Sequence, residues 1–377
     1  MKLAIDAREL EGNPTGAGRV LLEYLCGWPA AFFDQNEVTL LFKNEIPCLD
    51  DLPAACRRVR LRAFSDLVWE IFLLPLYLRR NGADLFWGAN GAGAFSCSRR
   101  TRQVISVYDL TYVFRPGDYG LKERLVRRFR VGMSLKRASA LLTLSESAKE
   151  DLQRLRPSLS GKITVTAPGA DAFAALYRRD RTKTNLLYVG SLLNRRPIAA
   201  LVRMAALLVR RYPGLILTLA GENRTRPHRD FHQLVRQLGL EGRVVILDYV
   251  TEQKLKELYE DAGIFCYPSF YEGFGLPVIE AQAAGLPVMT LKNSSLWEVG
   301  GETVAYAREG TAEAMAETVF QLLEEPLYYE TLQRAGQENA RRFSWKKGAE
   351  TVLNVLIGES CPKRTDLCAA LQEARAR

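Results

Sequence analysis

Two glutamates stand eight positions apart, Glu272 and Glu280, within the stretch PSFYEGFGLPVIEAQAAGLPV at residues 268–288. Gly273 and Gly275 lie between them, and glycine lets a backbone approach a ligand so closely that free N–H groups can face an anion or sugar hydroxyls. Acidic residues in nucleotide-binding folds accept the two hydroxyls of a ribose. Glu280 would do so here, while Glu272 would reach another part of the same ligand, which fits a nucleotide-sugar. A bare pair of glutamates at this spacing is common in proteins, so the flanking residues carry the argument.

The same stretch predicts the elements that position both acids. The apolar run 264–267 predicts a strand that ends before Glu272. Pro277 suits the first turn of a helix, where its missing N–H costs nothing, and Gly285 is a favourable left-handed cap for the end of that helix. We therefore expect the loop at the carboxyl end of a strand, with Glu280 one turn inside the helix that follows.

Short apolar runs alternate with helical patterns along the whole chain, and this alternation predicts an α/β fold with doubly wound parallel sheets. The alternation restarts after a polar connection, so a domain boundary falls near residues 172–184. Two Rossmann-like domains would then face each other across a cleft, and open α/β sheets bind ligands at the carboxyl ends of their strands. The predicted strands lie at residues 1–7, 38–42, 84–88, 103–109, 140–145, 185–191, 215–221, 243–250, 262–268 and 286–291.

The composition fits two globular domains: 377 residues, 47% hydrophobic and 25% charged. No window approaches about 18 uninterrupted apolar residues, and an acid at position 6 argues against a secretory signal. Seven scattered cysteines without a C-x2-C pair indicate reduced thiols and a cytoplasmic location. The two histidines, His228 and His232, are too few for a histidine-based metal site or a Ser-His triad.

The net charge of +9 is carried mostly by the first half of the chain, where residues 1–170 hold 25 Lys and Arg against 18 Asp and Glu. Much of the excess lies at residues 121–138, where Leu121, Leu125, Phe129 and Met133 recur every four residues. This pattern predicts a helix with one apolar stripe and a basic opposite face. We expect the stripe to pack on the sheet; the alternative is attraction to an anionic membrane or a phosphate-bearing acceptor. Nucleic acid is not expected, because no reader motif is present.

The stretch that holds Glu272 and Glu280 resembles the signature of the family-4 retaining glycosyltransferases of the GT-B fold. The resemblance covers nearly the whole chain. Its motifs are TGAGR (15–19), VYDLTYVFRP (107–116), LTLSESAKEDL (142–152), VGSLLNRRP (189–197), LKELYEDAGIFCYPS (255–269) and SSLWEVGGE (294–302). It implies an acceptor-binding domain at residues 1–172 and a nucleotide-sugar-binding domain at residues 173–342. Residues 343–377 would form a helix that crosses back to the first domain, with a polar tail.

The resemblance also implies roles for individual residues. Glu272 and the amides of Gly273, Phe274 and Gly275 would contact the transferred sugar, and Glu280 would hold the ribose. Arg195 and Arg196 would neutralise the diphosphate, a use suited to the forked donors of arginine. The remaining donor positions are Gly16, Gly18, Ser191, Tyr249, Val250 and Leu276, with Arg19 and Asp109 as cleft residues and Tyr108 beside the sugar.

No D-x-D triplet occurs in the chain, so basic groups and a helix dipole would stabilise the departing phosphate in place of a metal, and no cofactor is expected.

The chain departs from the family at Tyr108, where histidine is usual, and tyrosine is a poor base at neutral pH. Ser191 and Arg196 stand where relatives often carry arginine and lysine, and Asp248 replaces a frequent glycine. Retention in the family is usually assigned to front-face attack, with the donor phosphate helping to deprotonate the acceptor.

The expected function is therefore a retaining, metal-independent glycosyltransferase. It would move a hexose, with a mild preference for a GDP-mannose type of donor, to a glycan or lipid-linked glycan in surface polysaccharide assembly. It would act in the cytoplasm, with peripheral contact at the inner face of an anionic membrane. Two alternatives stay open: a non-catalytic or weakly active nucleotide-sugar-binding protein, for which Tyr108 argues, and a nucleotide-sugar epimerase, against which the scarcity of histidine argues.

Four tryptophans are candidates for platforms on which a sugar could stack. Trp69, Trp87 and Trp345 lie in helix- or strand-like patterns and are expected in the core. Trp297 precedes Glu298 in a segment that we expect to be a loop facing the cleft, where it would border the donor.

Overall fold

The computed structural model describes residues 1–12, 16–46, 51–95, 100–178 and 181–358. Within these ranges, two parallel sheets divide the chain into two α/β units. Parallel strands covered by helices on both faces are buried on both sides, which is why they read as short apolar runs. The predicted fold class, two Rossmann-like domains, is confirmed.

The first sheet has seven strands in the order β3-β2-β1-β4-β5-β6-β7, with every pair parallel. One of its internal strands, β1, is buried at four of its five residues. The strands are β1 (Lys2–Asp6), β2 (Glu37–Phe42), β3 (Arg57–Arg60), β4 (Leu85–Gly88), β5 (Arg102–Ser106), β6 (Ala140–Thr143) and β7 (Ile163–Val165). The helices around it are α1 (Ala17–Cys26), α2 (Ala30–Gln35), α3 (Asp66–Val68), α4 (Leu74–Arg80), α5 (Thr111–Phe114), α6 (Leu121–Arg137) and α7 (Glu146–Leu155), with a π-helical turn at Trp69–Leu73.

The second sheet has six parallel strands in the order β10-β9-β8-β11-β12-β13. Its strands are β8 (Asn185–Val189), β9 (Ile216–Ala220), β10 (Val244–Leu247), β11 (Ile264–Tyr267), β12 (Val288–Leu291) and β13 (Ala305–Ala307). The helices are α8 (Ile198–Val209), α9 (Phe231–Gln237), α10 (Glu252–Asp261), α11 (Leu276–Ala283), α12 (Ser294–Gly300), α13 (Ala312–Glu324), α14 (Pro326–Ala340) and α15 (Trp345–Ile357).

The sequence did not predict β3, β7 and β13, each of which lies at an edge of its sheet. β7 is only three residues long. β3 has the sequence RRVR and is mostly exposed, so it lacks the apolar run of a central strand. β13 is only three residues long. Edge strands that are charged or very short give only a weak periodic signal in the sequence. They become strands because they pair with a neighbouring strand, and that pairing is a tertiary contact.

The last described helix, α15, crosses back to the first domain as predicted. The indole N–H of Trp28 donates to the carbonyl of Ala349 at 3.2 Å. The guanidinium of Arg102 donates to the carbonyls of Val355 and Leu356 at 2.5 and 3.0 Å, which satisfies carbonyls in the last turn of the helix. The predicted polar tail beyond α15 lies outside the described residues.

The apolar stripe of α6 does not pack on the sheet, and that expectation was wrong. Leu121, Leu125 and Phe129 are 65%, 57% and 55% exposed. The helix is held instead near its C-terminal end, where Ser134 and Leu135 are its buried residues. Periodicity predicts which residues share a face of a helix, but the contacts around the helix decide which way that face points.

Candidate functional site

The two glutamates lie at the carboxyl end of β11, in the loop and helix that the sequence predicted. Gly275 caps the N-terminus of α11 with a φ of +108°, a conformation that side chains rarely adopt. Pro277 stands in the first turn of α11, and Gly285, with a φ of +76°, follows the end of this helix. The local chemistry of proline and glycine thus sets where the helix begins and ends.

Glu272 is the centre of a buried cluster within the second domain. Its carboxylate accepts hydrogen bonds from Arg195 Nη2 at 3.1 Å and from Arg196 Nε at 2.8 Å, and the hydroxyl of Tyr267 lies 3.3 Å away. Burial by itself would raise the pKa of Glu272, but the two guanidinium groups overcome that effect and lower the pKa to about 2. Glu272 is therefore ionised at neutral pH and fully partnered.

The two arginines of this cluster differ in their surroundings. Arg196 is enclosed: its guanidinium also donates to the Ser191 carbonyl at 2.8 Å and lies 4.9 Å from the ring centre of Tyr267. Arg195 is more open and lines a cavity between the domains. Its Nε is buried and has no partner in the part of the chain that the structure describes. Arg195 thus keeps a nitrogen without a partner, whereas each of the three guanidinium nitrogens of Arg196 has one.

Sequence reasoning missed the tyrosines of this cluster, Tyr188 and Tyr267. They stack with ring centres 5.9 Å apart, and both hydroxyls hydrogen-bond to the Arg196 guanidinium. Each stands at or near the carboxyl end of its strand, β8 or β11. That position at the ligand-binding edge of a parallel sheet was the available signal.

Glu280 is also buried, but its charged partner comes from the other domain. Its Oε1 accepts from Arg19 Nη1 at 2.7 Å, and its Oε2 accepts from the hydroxyl of Tyr259 at 3.0 Å. Arg19 belongs to α1 of the first domain, and its guanidinium lies 5.1 Å from the ring centre of Phe173. Burial raises the pKa of Glu280 above its ordinary value, and Arg19 and Tyr259 oppose that effect without cancelling it.

The loop that holds Glu272 also contacts the first domain directly. A Cβ on Gly273 would lie 2.0 Å from the carbonyl oxygen of Tyr108, so only glycine allows this approach. The hydroxyl of Ser145 donates to the carbonyl of Gly273 at 2.7 Å, and the hydroxyl of Tyr271 donates to the Asp151 carboxylate at 2.7 Å. The glycine that we expected at the sugar is therefore also required by the contact between the domains.

A second contact between the domains involves α12. Both carboxylate oxygens of Glu298 accept backbone N–H groups at the start of α7, from Glu146 at 2.8 Å and Ser147 at 2.9 Å. A carboxylate at a helix N-terminus satisfies donors that have no partner within the helix and is favoured by the helix dipole. Trp297 is in this helix rather than in a loop, is 41% exposed and lies under Lys292.

Tyr108 contributes its backbone to the site, since its carbonyl oxygen packs against Gly273. Its hydroxyl is buried and has no hydrogen-bond partner among the residues that the structure describes. Burial raises the pKa of this hydroxyl far above its ordinary value, so it does not act as a base at neutral pH. The next residue, Asp109, accepts the backbone N–H of Thr111 at 3.0 Å and lies beside Gly273.

The remaining predicted donor residues fall into three groups. Phe274 is buried against Phe343 with ring centres 5.6 Å apart, so its side chain is part of the core. Tyr249 is exposed, with Val250 beside it, between β10 and α10. The others lie at the starts of helices or beside the Glu272 cluster: Gly16 as N-cap of α1, Gly18 in its first turn, Leu276 as first residue of α11, and Ser191 after β8. Residues 13–15 of the predicted glycine loop lie outside the described residues.

A cavity of about 600 Å³ opens between the domains beside the Glu272 cluster. This volume lies in the range of small-molecule sites. Its walls combine both domains and are strongly polar: Asp118, Tyr119, Glu123, Arg127, Leu193, Asn194, Arg195, Glu222, Asn223, Arg224, Thr225 and Arg226. Within the described ranges, no three histidine, cysteine, aspartate or glutamate side chains are grouped as metal ligands.

Comparison with known proteins gives the following similarities. Residues 173–353 match the family Glycosyl transferases group 1. Over 94% of the chain and 99% of the relative, the sequence is 29% identical to O-antigen chain mannosyltransferase B of Escherichia coli. Across 50% of the chain and 51% of the relative, the sequence is 28% identical to the O-antigen chain mannosyltransferase RfbU of Salmonella typhimurium.

Solved structures share the two-domain fold at lower sequence identity. Sucrose-phosphate synthase from Thermosynechococcus elongatus superposes with a TM-score of 0.74 at 19% identity and covers 95% of this chain and 100% of that one. Anabaena HepE, solved in complex with UDP and glucose, gives a TM-score of 0.74 at 17% identity with the same coverage. Both support the arrangement of two Rossmann-like domains around a cleft.

Proposed function

We propose that this chain moves a hexose from a nucleotide-diphosphate sugar to a glycan, with retention of configuration and without a metal ion, because residues 173–353 match the family Glycosyl transferases group 1 and the chain has the two-domain GT-B fold. The observation that carries the proposal is the buried Glu272–Arg195–Arg196 cluster beside the cavity between the domains. It combines a sugar-binding carboxylate with two permanent cations.

The cluster supports a donor diphosphate in a specific way. Arg195 faces the cavity and retains an unpartnered N–H, so it is suited to bind a phosphate oxygen with its forked donors. When Arg195 turns to a diphosphate, Glu272 is left with Arg196 and gains a free lone pair for a sugar hydroxyl. Arg196 then holds Glu272 ionised and oriented. The cations stabilise the charge that develops on the leaving nucleoside diphosphate.

Glu280 supports the binding of the ribose. It is 4% exposed and already held by the Tyr259 hydroxyl, so its orientation is set before a ligand arrives. A ribose diol would replace Arg19 as the donor to Oε1. Arg19 lies in the first turn of α1, and it would then be released toward the diphosphate.

The mechanism that we propose is front-face attack. The acceptor hydroxyl attacks the anomeric carbon from the side on which the nucleoside diphosphate leaves, and the departing phosphate oxygen takes the hydroxyl proton. No side chain is needed as the base, which agrees with the enclosed hydroxyl of Tyr108. Metal independence is supported by the arginines, which supply positive charge beside the cavity.

The similarity to two O-antigen mannosyltransferases supports a mannose-type donor and an acceptor in surface polysaccharide assembly, and we propose GDP as the leaving group. We propose a lipid-linked glycan as this acceptor, reached by peripheral contact of the protein with the inner face of an anionic membrane. Within the described residues, no helix has both the length and the apolar character needed to cross a bilayer.

One observation favours a second candidate, a nucleotide-sugar-binding protein that transfers slowly or not at all. Tyr108 stands at the position of the family's usual histidine, and its hydroxyl is enclosed. If that histidine contributes to the rate in relatives, this chain would bind donor normally and turn it over poorly.

The test is a thermal-shift and calorimetric screen against UDP, GDP, ADP and TDP and their sugars, with EDTA present. We expect one nucleotide to bind, and Glu280→Ala to abolish this binding without unfolding the protein. Donor hydrolysis or transfer then separates an enzyme from a binding protein, and the anomeric configuration of the product by NMR tests retention. Binding that EDTA removes would contradict metal independence, and the absence of any nucleotide binding would contradict the donor site.

A further inference from the structure

A second cavity lies next to the one beside the Glu272 cluster. Its volume is about 840 Å³, which lies in the range of small-molecule sites. Most of its wall belongs to α6 and the turn before this helix, and Arg226 is its wall residue from the second domain; we call it the α6 cavity. The two cavities have five wall residues in common: Asp118, Tyr119, Glu123, Arg127 and Arg226. A molecule in the α6 cavity therefore lies beside any ligand in the first cavity.

The charged side chains of the α6 cavity are predominantly basic. They are Lys122, Arg127, Arg130, Arg226, Asp118 and Glu123. Two of them are held by partners outside the wall: Arg130 donates to the buried Glu70 carboxylate at 2.8 Å, and Asp118 pairs with Arg115 at 3.7 Å. Four side chains therefore remain available to a ligand.

These four side chains place three cations around one carboxylate. Glu123 accepts from Arg127 at 3.1 Å and from Arg226 at 2.9 Å. Lys122 has no hydrogen bond or ion pair within the described ranges. The group thus carries a charge of +2, and the forked donors of its two guanidinium groups match the oxygens of a phosphate.

The loop that carries Arg226 is fixed by side chains that hydrogen-bond to its backbone. Asn194, next to Arg195, accepts the N–H of Arg226 through Oδ1 at 2.9 Å and donates to the Arg226 carbonyl through Nδ2. Thr225 Oγ1 accepts the N–H of Arg229 at 2.9 Å. The guanidinium of Arg226 is 75% exposed, and among the described residues it pairs only with Glu123 of the other domain. The loop therefore presents Arg226 across the cleft to the α6 cavity.

We propose that the α6 cavity binds a phosphate group of the acceptor, and that Arg226 of the second domain is a specificity-determining residue for this acceptor. Arg127 and Arg226 bind the phosphate oxygens, and Lys122 adds a third positive charge. The phosphate replaces Glu123 as the partner of the two arginines. Because Arg226 reaches α6 only while the domains are in contact, the site is complete only in this arrangement of the domains.

This inference deepens the proposed function, on which it rests in one point, that the ligand of the α6 cavity is the acceptor. Phosphate binding itself depends only on the charges of the cavity. An acceptor phosphate held there lies beside Arg195, which is the residue proposed for the donor diphosphate, since Arg195 lines the adjoining cavity.

The test is calorimetric titration of the full chain with inorganic phosphate and with pyrophosphate. Lys122→Gln/Arg127→Gln/Arg226→Gln changes only exposed side chains, so it should fold normally and bind one pyrophosphate fewer than the wild type. Arg195→Gln removes the cation proposed for the donor diphosphate. In that background, the triple change should weaken the binding of both anions about tenfold, because three cations each contribute modestly at an exposed site.

The matched control is Arg128→Gln/Lys136→Gln/Arg229→Gln, which removes the same charge from α6 and the loop of Arg226. These three cations are exposed and line neither cavity. The control should bind both anions like its background, and equal weakening by the two triple variants would overturn the proposal. A preference for pyrophosphate over phosphate would indicate an acceptor with a diphosphate link, and the reverse would indicate a single phosphate; both support the site.

Glu123→Gln gives a test of sign. It removes the carboxylate that competes for Arg127 and Arg226, so phosphate binding should become about threefold tighter. A cavity for an uncharged glycan would behave differently, because the Glu123 carboxylate would accept hydroxyl groups of the sugar. Unchanged or weaker phosphate binding by Glu123→Gln would therefore overturn the proposal.

Failure of this proposal can be distinguished from failure of the proposed function. Titration with phosphate needs no nucleotide, and nucleotide binding is measured without added phosphate. If no nucleotide binds and the α6 triple variant still loses phosphate binding, the donor site fails alone. If nucleotide binds normally and the triple variant binds phosphate like the wild type, the acceptor site fails alone.

Discussion

Glu272 and Glu280 come from one short stretch, yet the fold gives them opposite kinds of partner. Glu272 is held by Arg195 and Arg196 of its own domain, whereas Glu280 is held by Arg19 of the other domain. The first arrangement is built within one sheet and its loops. The second exists only while the two domains are in contact. Under the proposed function, Glu272 would be preorganised for the sugar, while Glu280 would link donor binding to the position of the domains.

The largest effect should come from removing the charge of Glu272. Glu272→Gln leaves two buried guanidinium groups without their carboxylate. Folding lowers the pKa of Glu272 from the ordinary 4.5 to about 2, and this shift corresponds to about 3 kcal/mol of stability. We expect a loss of this size in urea unfolding, together with loss of transfer activity. The control is Glu309→Gln, at an exposed position, and an equal effect of both changes would contradict the preorganised cluster.

The second prediction separates the roles of Glu280 and Arg19 in the proposed ribose site. Glu280→Gln should weaken nucleotide binding about 10- to 100-fold, since hydrogen bonds to a charged group contribute about 1.5–3 kcal/mol. Arg19→Met should have the opposite effect on a nucleoside without phosphates, tightening its binding about fivefold, because it removes the cation that competes for Oε1.

Calorimetry with guanosine and GDP measures both changes. Glu23→Gln is the matched control, because Glu23 lies 3.8 Å from the Arg19 guanidinium and does not touch Glu280. Weaker nucleoside binding by Arg19→Met would show that Arg19 supports the ribose site and does not compete with the ribose.

The third prediction uses pH to distinguish the two acids. The pKa of Glu272 is lowered on folding, so its contribution to stability is complete above pH 4.5 and is lost as the pH falls toward about 2. The pKa of Glu280 is raised on folding, so ionising it costs stability as the pH rises above 4.5. The free-energy difference between wild type and Glu272→Gln should therefore grow from pH 2 to 4.5.

The difference for Glu280→Gln should have the opposite sign and appear only above pH 4.5. Urea unfolding of the three proteins from pH 2 to well above pH 4.5 measures both curves. Curves of the same sign would contradict the assignment of different causes to the two pKa shifts, namely ion pairing for Glu272 and burial for Glu280.

The smallest effect should come from Tyr108→Phe. The hydroxyl is buried and has no described partner, so its removal should change stability by less than about 1 kcal/mol and leave kcat within about twofold. Thermal unfolding and transfer or donor-hydrolysis rates measure the two quantities. A tenfold fall in kcat would show that the hydroxyl reaches the sugar during the reaction. Tyr108 would then be a catalytic residue and not only a residue whose backbone packs against Gly273.

Much of the site could be read from the sequence because its chemistry is local. Pro277, Gly275 and Gly285 set the bounds of α11 through backbone preferences that belong to those residue types. The apolar runs of the central strands and the two-domain division followed from alternating patterns of the same kind. The charge of α6 was also visible, since composition does not depend on folding.

Only the tertiary structure decided how these pieces meet. It placed Arg19 on Glu280 from 261 positions away in the chain, brought Gly273 against the backbone of Tyr108, and turned the apolar stripe of α6 toward solvent. The physical reason is the range of the interactions. Backbone preferences and periodicity act over a few residues, while ion pairing and close packing depend on which surfaces the fold brings together.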